Sequence, residues 1–314
     1  MVYNQAELHM FRLTFFALAA CTVLAIYKGI APDFASFSGS FATFCGLMAI
    51  GQFYRKVRPD ERIASVVTAV AFLMFTGHVF SVLTYLHLPY LVQGGDQFFE
   101  QIDSHLGFHW STFVVAVSDY PAICEALRLV YLSSAWQIAA AILALGLVRR
   151  YDEIGALALA ILVGAAVTTE VWALFPSSTP AAFQPLPADV AARLGLVVSP
   201  EQGAWLARIS HEGLTSIGAE SMVGIVGFPS YHTVLTFTTL YFAWTITWLR
   251  WPLALHGMLM VPAILVHGSH NVIDVFGGLA VTVAAIVIAK RLVCYRPGQL
   301  SDQLEHGQPT SGRG

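Results

Sequence analysis

His270 and Asp274 stand four residues apart at the head of an apolar run over 272–292. On a helix that spacing puts the two side chains on one face, within reach of each other. The carboxylate then orients the imidazole, keeps its outward nitrogen unprotonated and stabilises positive charge on the ring, the requirements of a histidine nucleophile or base. The start of a helix also presents unpaired N–H groups and the positive end of its dipole to a phosphate oxygen. A second group lies at Phe228, Pro229, Ser230, Tyr231 and His232. Pro229 suits a first helical turn, Ser230 and the neighbouring N–H groups can grip an anion, and His232 stands beside that grip as a proton donor. Each group also has a plainer reading: a solvated or capping pair at 270 and 274, and a satisfied interfacial histidine at 232.

The elements that must position these residues are set by composition. The 314 residues are 56% apolar and 11% charged with a mean hydropathy of +0.66, whereas soluble domains are about 25% charged. The class is therefore an all-α, polytopic membrane protein. A net charge of −3 offers no clustered basic surface for nucleic acid. The four cysteines are scattered and suggest neither a disulfide framework nor a metal knuckle. Leu18–Cys21 spells a lipoprotein-like cleavage box, but the apolar run continues past it and is read as a retained first helix.

A spanning helix needs about 20 mostly apolar residues. Eight stretches approach this, at 10–29, 37–54, 63–86, 127–148, 153–175, 229–249, 252–267 and 272–292, while residues 97–122, broken by His, Asp and Pro, read as an interfacial or re-entrant piece. Lys and Arg mark cytoplasmic ends. They follow the second, fourth, sixth and eighth stretches as Arg55–Arg62, Arg149 and Arg150, Arg250, and Lys290–Arg296. Both termini are thus expected in the cytoplasm and the long connections at 87–126 and 176–228 outside. The organisation expected is N-terminal membrane helices with an outer interfacial segment over 1–126, a transmembrane core over 127–293, and a disordered cytoplasmic tail over 294–314. In that frame Phe175–Pro180, Phe228–His232 and His267–Asp274 all fall at the outer face.

Phe228, Pro229, Ser230 and His232, followed some forty residues later by His270 and Asp274, resemble the second and third signatures of the type 2 phosphatidic acid phosphatase superfamily. The resemblance implies a lipid phosphatase or phospho-headgroup transferase that works without a metal or other cofactor. His270 would attack phosphorus, Asp274 orient it, His232 protonate the leaving group and Ser230 contact the phosphate. The family's first signature, a lysine and an arginine followed by proline, is absent. The Ser-Arg pair that precedes the nucleophilic histidine falls on Ala263 and Ile264. Phe175–Pro180 resembles instead a stretch of the inositol phosphorylceramide synthase branch, which passes a phospho-headgroup between lipids. The partners implied are a lipid phosphate and, for transfer, an acceptor alcohol.

A buried phosphate still needs partners. Arg128 at the mouth of the fourth stretch is favoured, with His267 beside it and Arg193, Arg208 and His211 as further outer-face cations; a snorkelling Arg128 is the plainer reading. Glu170 and His78 are intramembrane ionisable residues and candidates on that ground, Glu170 for a substrate hydroxyl and His78 for a helix contact. A competing function is a transporter or metal protein using His232, His267 and His270.

Overall fold

The computed structural model describes residues 4–89, 95–219 and 222–294. The expected tail therefore lies outside the described residues from Tyr295 onward. The described chain is almost entirely helical. Three helices open it: α1 (Gln5–Lys28), α2 (Phe34–Lys56) and α3 (Glu61–Leu86). Each starts at a side-chain cap, from Asn4 with Glu7 in a reciprocal box, from Asp33 and from Asp60, which satisfies N–H groups a helix start leaves unpaired. Short helices α4 (Gly95–His105) and α5 (Trp110–Ser118) follow, where the sequence predicts a non-spanning piece.

The fourth stretch is two helices, α6 (Pro121–Leu132) and α7 (Ser134–Leu147), bent by 52° at Ser133. Next come α8 (Tyr151–Leu174), then α9 (Pro180–Phe183), α10 (Ala188–Leu194) and α11 (Pro200–Glu212) within the long connection. The chain returns through α12 (Tyr231–Ala243), α13 (Thr247–His267) and α14 (Val272–Cys294). Among the described residues the one strand pairing joins β1 (Ala31–Pro32) to β2 (Ser216–Ile217) in parallel, tying the long connection to the α1–α2 turn.

Among the described residues six helices are long and apolar enough to cross a membrane, or seven if the bent α6–α7 pair is one span. The stretch read as 229–249 differs from expectation. α12 holds 13 residues, about 20 Å at 1.5 Å per residue, and residues 247–249 already belong to α13. A turn at Trp244–Ile246 ends α12 early, and Arg150 bonds Thr245 within it.

α8 is the central post. It packs against α1, α3, α12 and α14, and Ile154–Ala165 are buried throughout, as befits a helix apolar on every side. Gly164 admits Val234 of α12, whose Cγ1 would lie 2.5 Å from an added Cβ. The basic residues gather at one end of the bundle, where Arg55 pairs with Glu7 and Lys290 bonds Tyr241. The three segments carrying the candidate chemistry close α8, open α12 and join α13 to α14, at the other end.

Candidate active site

His270 Nδ1 lies 3.0 Å from Asp274 Oδ2, and both residues are buried. The same oxygen accepts the Asn271 N–H at 2.9 Å. The carboxylate is thus held on the ring, which fixes the tautomer and leaves Nε2 as the nitrogen facing a substrate. The turn ahead of α14 is tight: Ser269 has φ of 50°, and Gly268 has Ile264 O, His270 Cδ2 and the Tyr131 ring within 3 Å of where a Cβ would stand. A left-handed non-glycine residue persists only where its surroundings hold it. Ser269 Oγ does so by accepting the Ala181 N–H at 2.8 Å.

α12 is locked to the same turn. The Ser230 N–H donates to the Asp274 carbonyl at 2.9 Å. Close approach is possible because residue 278 is glycine: a Cβ there would stand 2.5 Å from the Ser230 carbonyl and 2.6 Å from Thr233 Cβ. One residue on from Tyr231, the His232 ring stacks on Tyr131 of α6 at 4.2 Å between centroids and 25° between planes. His232 and His270 share one cavity of about 150 Å³, whose wall also carries Tyr131, Thr168 and Thr179. Larger cavities of about 840 Å³ between α1, α2 and α3, and of about 440 Å³ near Lys290, contain neither histidine. Size is outweighed here by the convergence of reactive groups.

The three site segments are assembled by α4, through three residues on one helical face. Asp96 accepts from Ser178 N–H and Oγ–H, each at 2.6 Å. Phe99 stacks on Phe228 at 4.5 Å. Asp103 accepts from Val272 N–H at 2.7 Å and Ile273 N–H at 3.0 Å, capping α14. Positions 96, 99 and 103 thus touch all three site segments. Burial pushes both carboxyls above the usual range against the pull of these donors, and the charge of Asp274 adds to the rise.

Several expected contacts are placed elsewhere. The N–H groups at the start of α14 are taken by Asp103 and Asp274, so they do not form the anion grip expected of a free helix start. Ser230 is fully buried with its Oγ unpaired and is not part of the cavity wall; its N–H serves the α12–α14 contact. Arg128 lies off the wall, half-exposed and 3.4 Å from Glu125, because α6 turns that face outward. His267 is buried with Nε2–H donating to the Cys124 carbonyl at 2.9 Å, a bond between α13 and α6.

With His267 so engaged, the set proposed for a metal is not brought together, and no group of three His, Cys, Asp or Glu suited to a metal occurs among the described residues. Arg193 pairs with Asp189, while Arg208 and His211 are exposed. Glu170 faces His87 at 3.8 Å rather than the cavity. His78 bonds Ser40 at 3.2 Å, the helix contact expected of it. Ala263 and Ile264 are fully buried in the core.

Ser177 and Ser178 proved to be ties. Ser177 Oγ accepts the Phe228 N–H at 2.7 Å and its carbonyl accepts Trp172 Nε1–H at 2.8 Å. Asp96, Phe99, Asp103 and Tyr131 were not singled out from sequence. For α4 a signal existed: two acids flanking an aromatic at i, i+3 and i+7 inside a polar segment.

A family model described as PAP2 superfamily matches residues 97–288, from within α4 to within α14. No curated protein and no solved structure matches the chain significantly.

Proposed function

The chain belongs to the PAP2 superfamily, and we propose that it is a membrane enzyme moving the phosphoryl group of a lipid phosphate through a phosphohistidine, at the non-cytoplasmic face. The observation that carries this reading is the His270–Asp274 pair at 3.0 Å, opening on a cavity it shares with His232. His270 Nε2 attacks phosphorus while the bond to the lipid oxygen breaks, and His232 gives that oxygen a proton. Asp274 offsets the positive charge that His270 acquires. In the second step the oxygen of water or of an alcohol bonds phosphorus, passes its proton to His232, and the P–N bond breaks.

Two observations support the finer parts. Basic residues follow alternate spans, which by the positive-inside tendency supports an outer side for the cavity. The long connection contributes Val198 and Val223–Val226 to the cavity wall, so it encloses the space a second substrate would need, favouring transfer to an acceptor alcohol over hydrolysis.

The roles of the two histidines separate by leaving group. A general acid is worth about 10²- to 10⁴-fold for a poor alkoxide, and much less for a phenolate with electron-withdrawing groups. His232→Ala is expected to lose far more activity on a lipid phosphate than on such an aryl phosphate, and His270→Ala to lose both. Equal losses for His232→Ala remove its role as acid; aryl phosphate turnover by His270→Ala removes the nucleophile.

A further inference from the structure

The cavity wall carries a second chemistry besides its histidines. α3 supplies Ser81 and Thr84 to the cavity and α8 supplies Thr168 and Thr169. Thr84 and Thr169 are satisfied: their hydroxyls lie 3.2 Å apart and Thr84 donates to the Phe80 carbonyl at 2.9 Å. Thr168 and Thr179 are not. They are 2% and 3% exposed, line the cavity, and their hydroxyls have no partner. Helical threonines elsewhere in this chain, such as Thr14, Thr239 and Thr282, donate to the carbonyl four residues back. Thr168 forgoes that bond, as do Thr68, Thr233, Thr236 and Thr238, and of these five helical threonines Thr168 is the one that lines the cavity. A buried hydroxyl without a partner is costly, and here both face a space large enough for about five waters at ~30 Å³ each.

Charge narrows the occupant. Among the described residues lining the cavity there is no Asp, Glu, Lys or Arg, and its ionisable groups besides the histidines are tyrosines. An ionic group placed away from the histidines would be buried without a counter-charge. A hydroxyl both donates and accepts, so a ligand hydroxyl can replace the water it displaces from each threonine.

We infer that the cavity holds a subsite for an uncharged, hydroxyl-bearing group of the substrate or acceptor, with the hydroxyls of Thr168 on α8 and of Thr179, ahead of α9, as its ligands. This rests on the phosphotransfer reading and adds to it. α3, which supplies Ser81 and Thr84 beside them, lies outside the matched residues 97–288, whereas Thr168 and Thr179 lie within them. When the group is on the acceptor, one of its hydroxyl oxygens bonds phosphorus as the P–N bond of phosphohistidine breaks, and its proton passes to His232. When it is on the leaving alcohol, the same bonds change in reverse.

The test uses purified full-length protein and two arms. In the donor arm, cleavage of glycerol phosphate is compared with that of n-propyl phosphate. In the acceptor arm, p-nitrophenyl phosphate supplies the phosphoryl group, and phosphorylated glycerol is compared with phosphorylated n-propanol. A preference for glycerol in the donor arm assigns the subsite to the leaving group, and in the acceptor arm to the acceptor. Either supports the subsite if Thr168→Val or Thr179→Val reduces the preference about tenfold, the scale of one net hydrogen bond. No preference, or one unchanged in both variants, overturns it. A readout free of turnover accompanies this: modification of Thr168→Cys by methyl methanethiosulfonate, followed by mass spectrometry of its own peptide, is expected to be slowed by myo-inositol and not by n-propanol. Equal rates with both overturn the subsite whatever the enzyme's activity. His270→Ala turnover of p-nitrophenyl phosphate would instead overturn the phosphotransfer reading and leave the cysteine result standing.

Discussion

The two sides of the cavity are built on opposite principles. On the α14 side, His270 is held by Asp274, Asp274 Oδ2 also accepts from Asn271, and Asp103 takes the next two N–H groups. Away from that turn's own bonds, Thr168 on α8 and Thr179 ahead of α9 keep hydroxyls without partners. The first side is organised before a substrate arrives, which is what a reacting group needs, since a small displacement of it is costly in rate. The second side leaves its bonds for the ligand, which is what recognition needs. Perturbing the organised side should therefore change turnover, and the open side the choice of substrate.

The largest loss is expected from Asp274→Asn. It keeps size and most packing but no longer stabilises the imidazolium, and the activity should fall by on the order of 10⁴-fold, the scale for a carboxylate that orients a catalytic histidine. Steady-state rates beside an unchanged elution profile and helical signal would check it. Wild-type rates would mean that the α14 side is not the reacting side.

Asp103→Asn comes next, because it acts through the turn rather than on the substrate. An amide oxygen can still accept from Val272 or Ile273, so the fold should persist while kcat falls about 10- to 100-fold, the scale of losing an outer-shell partner at a metal ligand. KM should hold, since Thr168 and Thr179 are untouched. A rise in KM alone would make α4 part of substrate binding instead of the clamp on the turn.

The smallest effect is expected at Arg128. Its ion pair with Glu125 is half-exposed, and such pairs are worth little. Arg128→Ala should leave kcat/KM within about threefold, where loss of a phosphate-binding arginine would cost far more. A large loss would show that α6 swings this side chain to the phosphate during turnover.

How much of this was legible follows from the range of each interaction. Spans declared themselves through apolar length, and His270 with Asp274 through a spacing of four on one helix. Convergence of Phe175–Pro180, Phe228–His232 and His267–Asp274 followed from counting crossings. The clamp by α4 did not, because Asp103 meets Val272 across 169 residues and Asp96 meets Ser178 across 82. Arg128 and His267 looked suitable by their place near span ends, yet side-chain direction on α6 and α13 decided the matter. For α12, apolar content over 229–249 suggested a full span, and the turn at Trp244–Ile246 cannot be read from hydropathy.

The central claim is a covalent bond between phosphorus and His270, and it can be observed directly. Wild-type protein mixed with radiolabelled lipid phosphate would be quenched within milliseconds in alkali, where a phosphorus–nitrogen bond survives, then digested and its labelled peptide sequenced by mass spectrometry. The account predicts label on His270, chased by added acceptor alcohol or water, and none in His270→Ala. A burst of released lipid alcohol with no label on the protein, or label on His232 or on a serine, would contradict it.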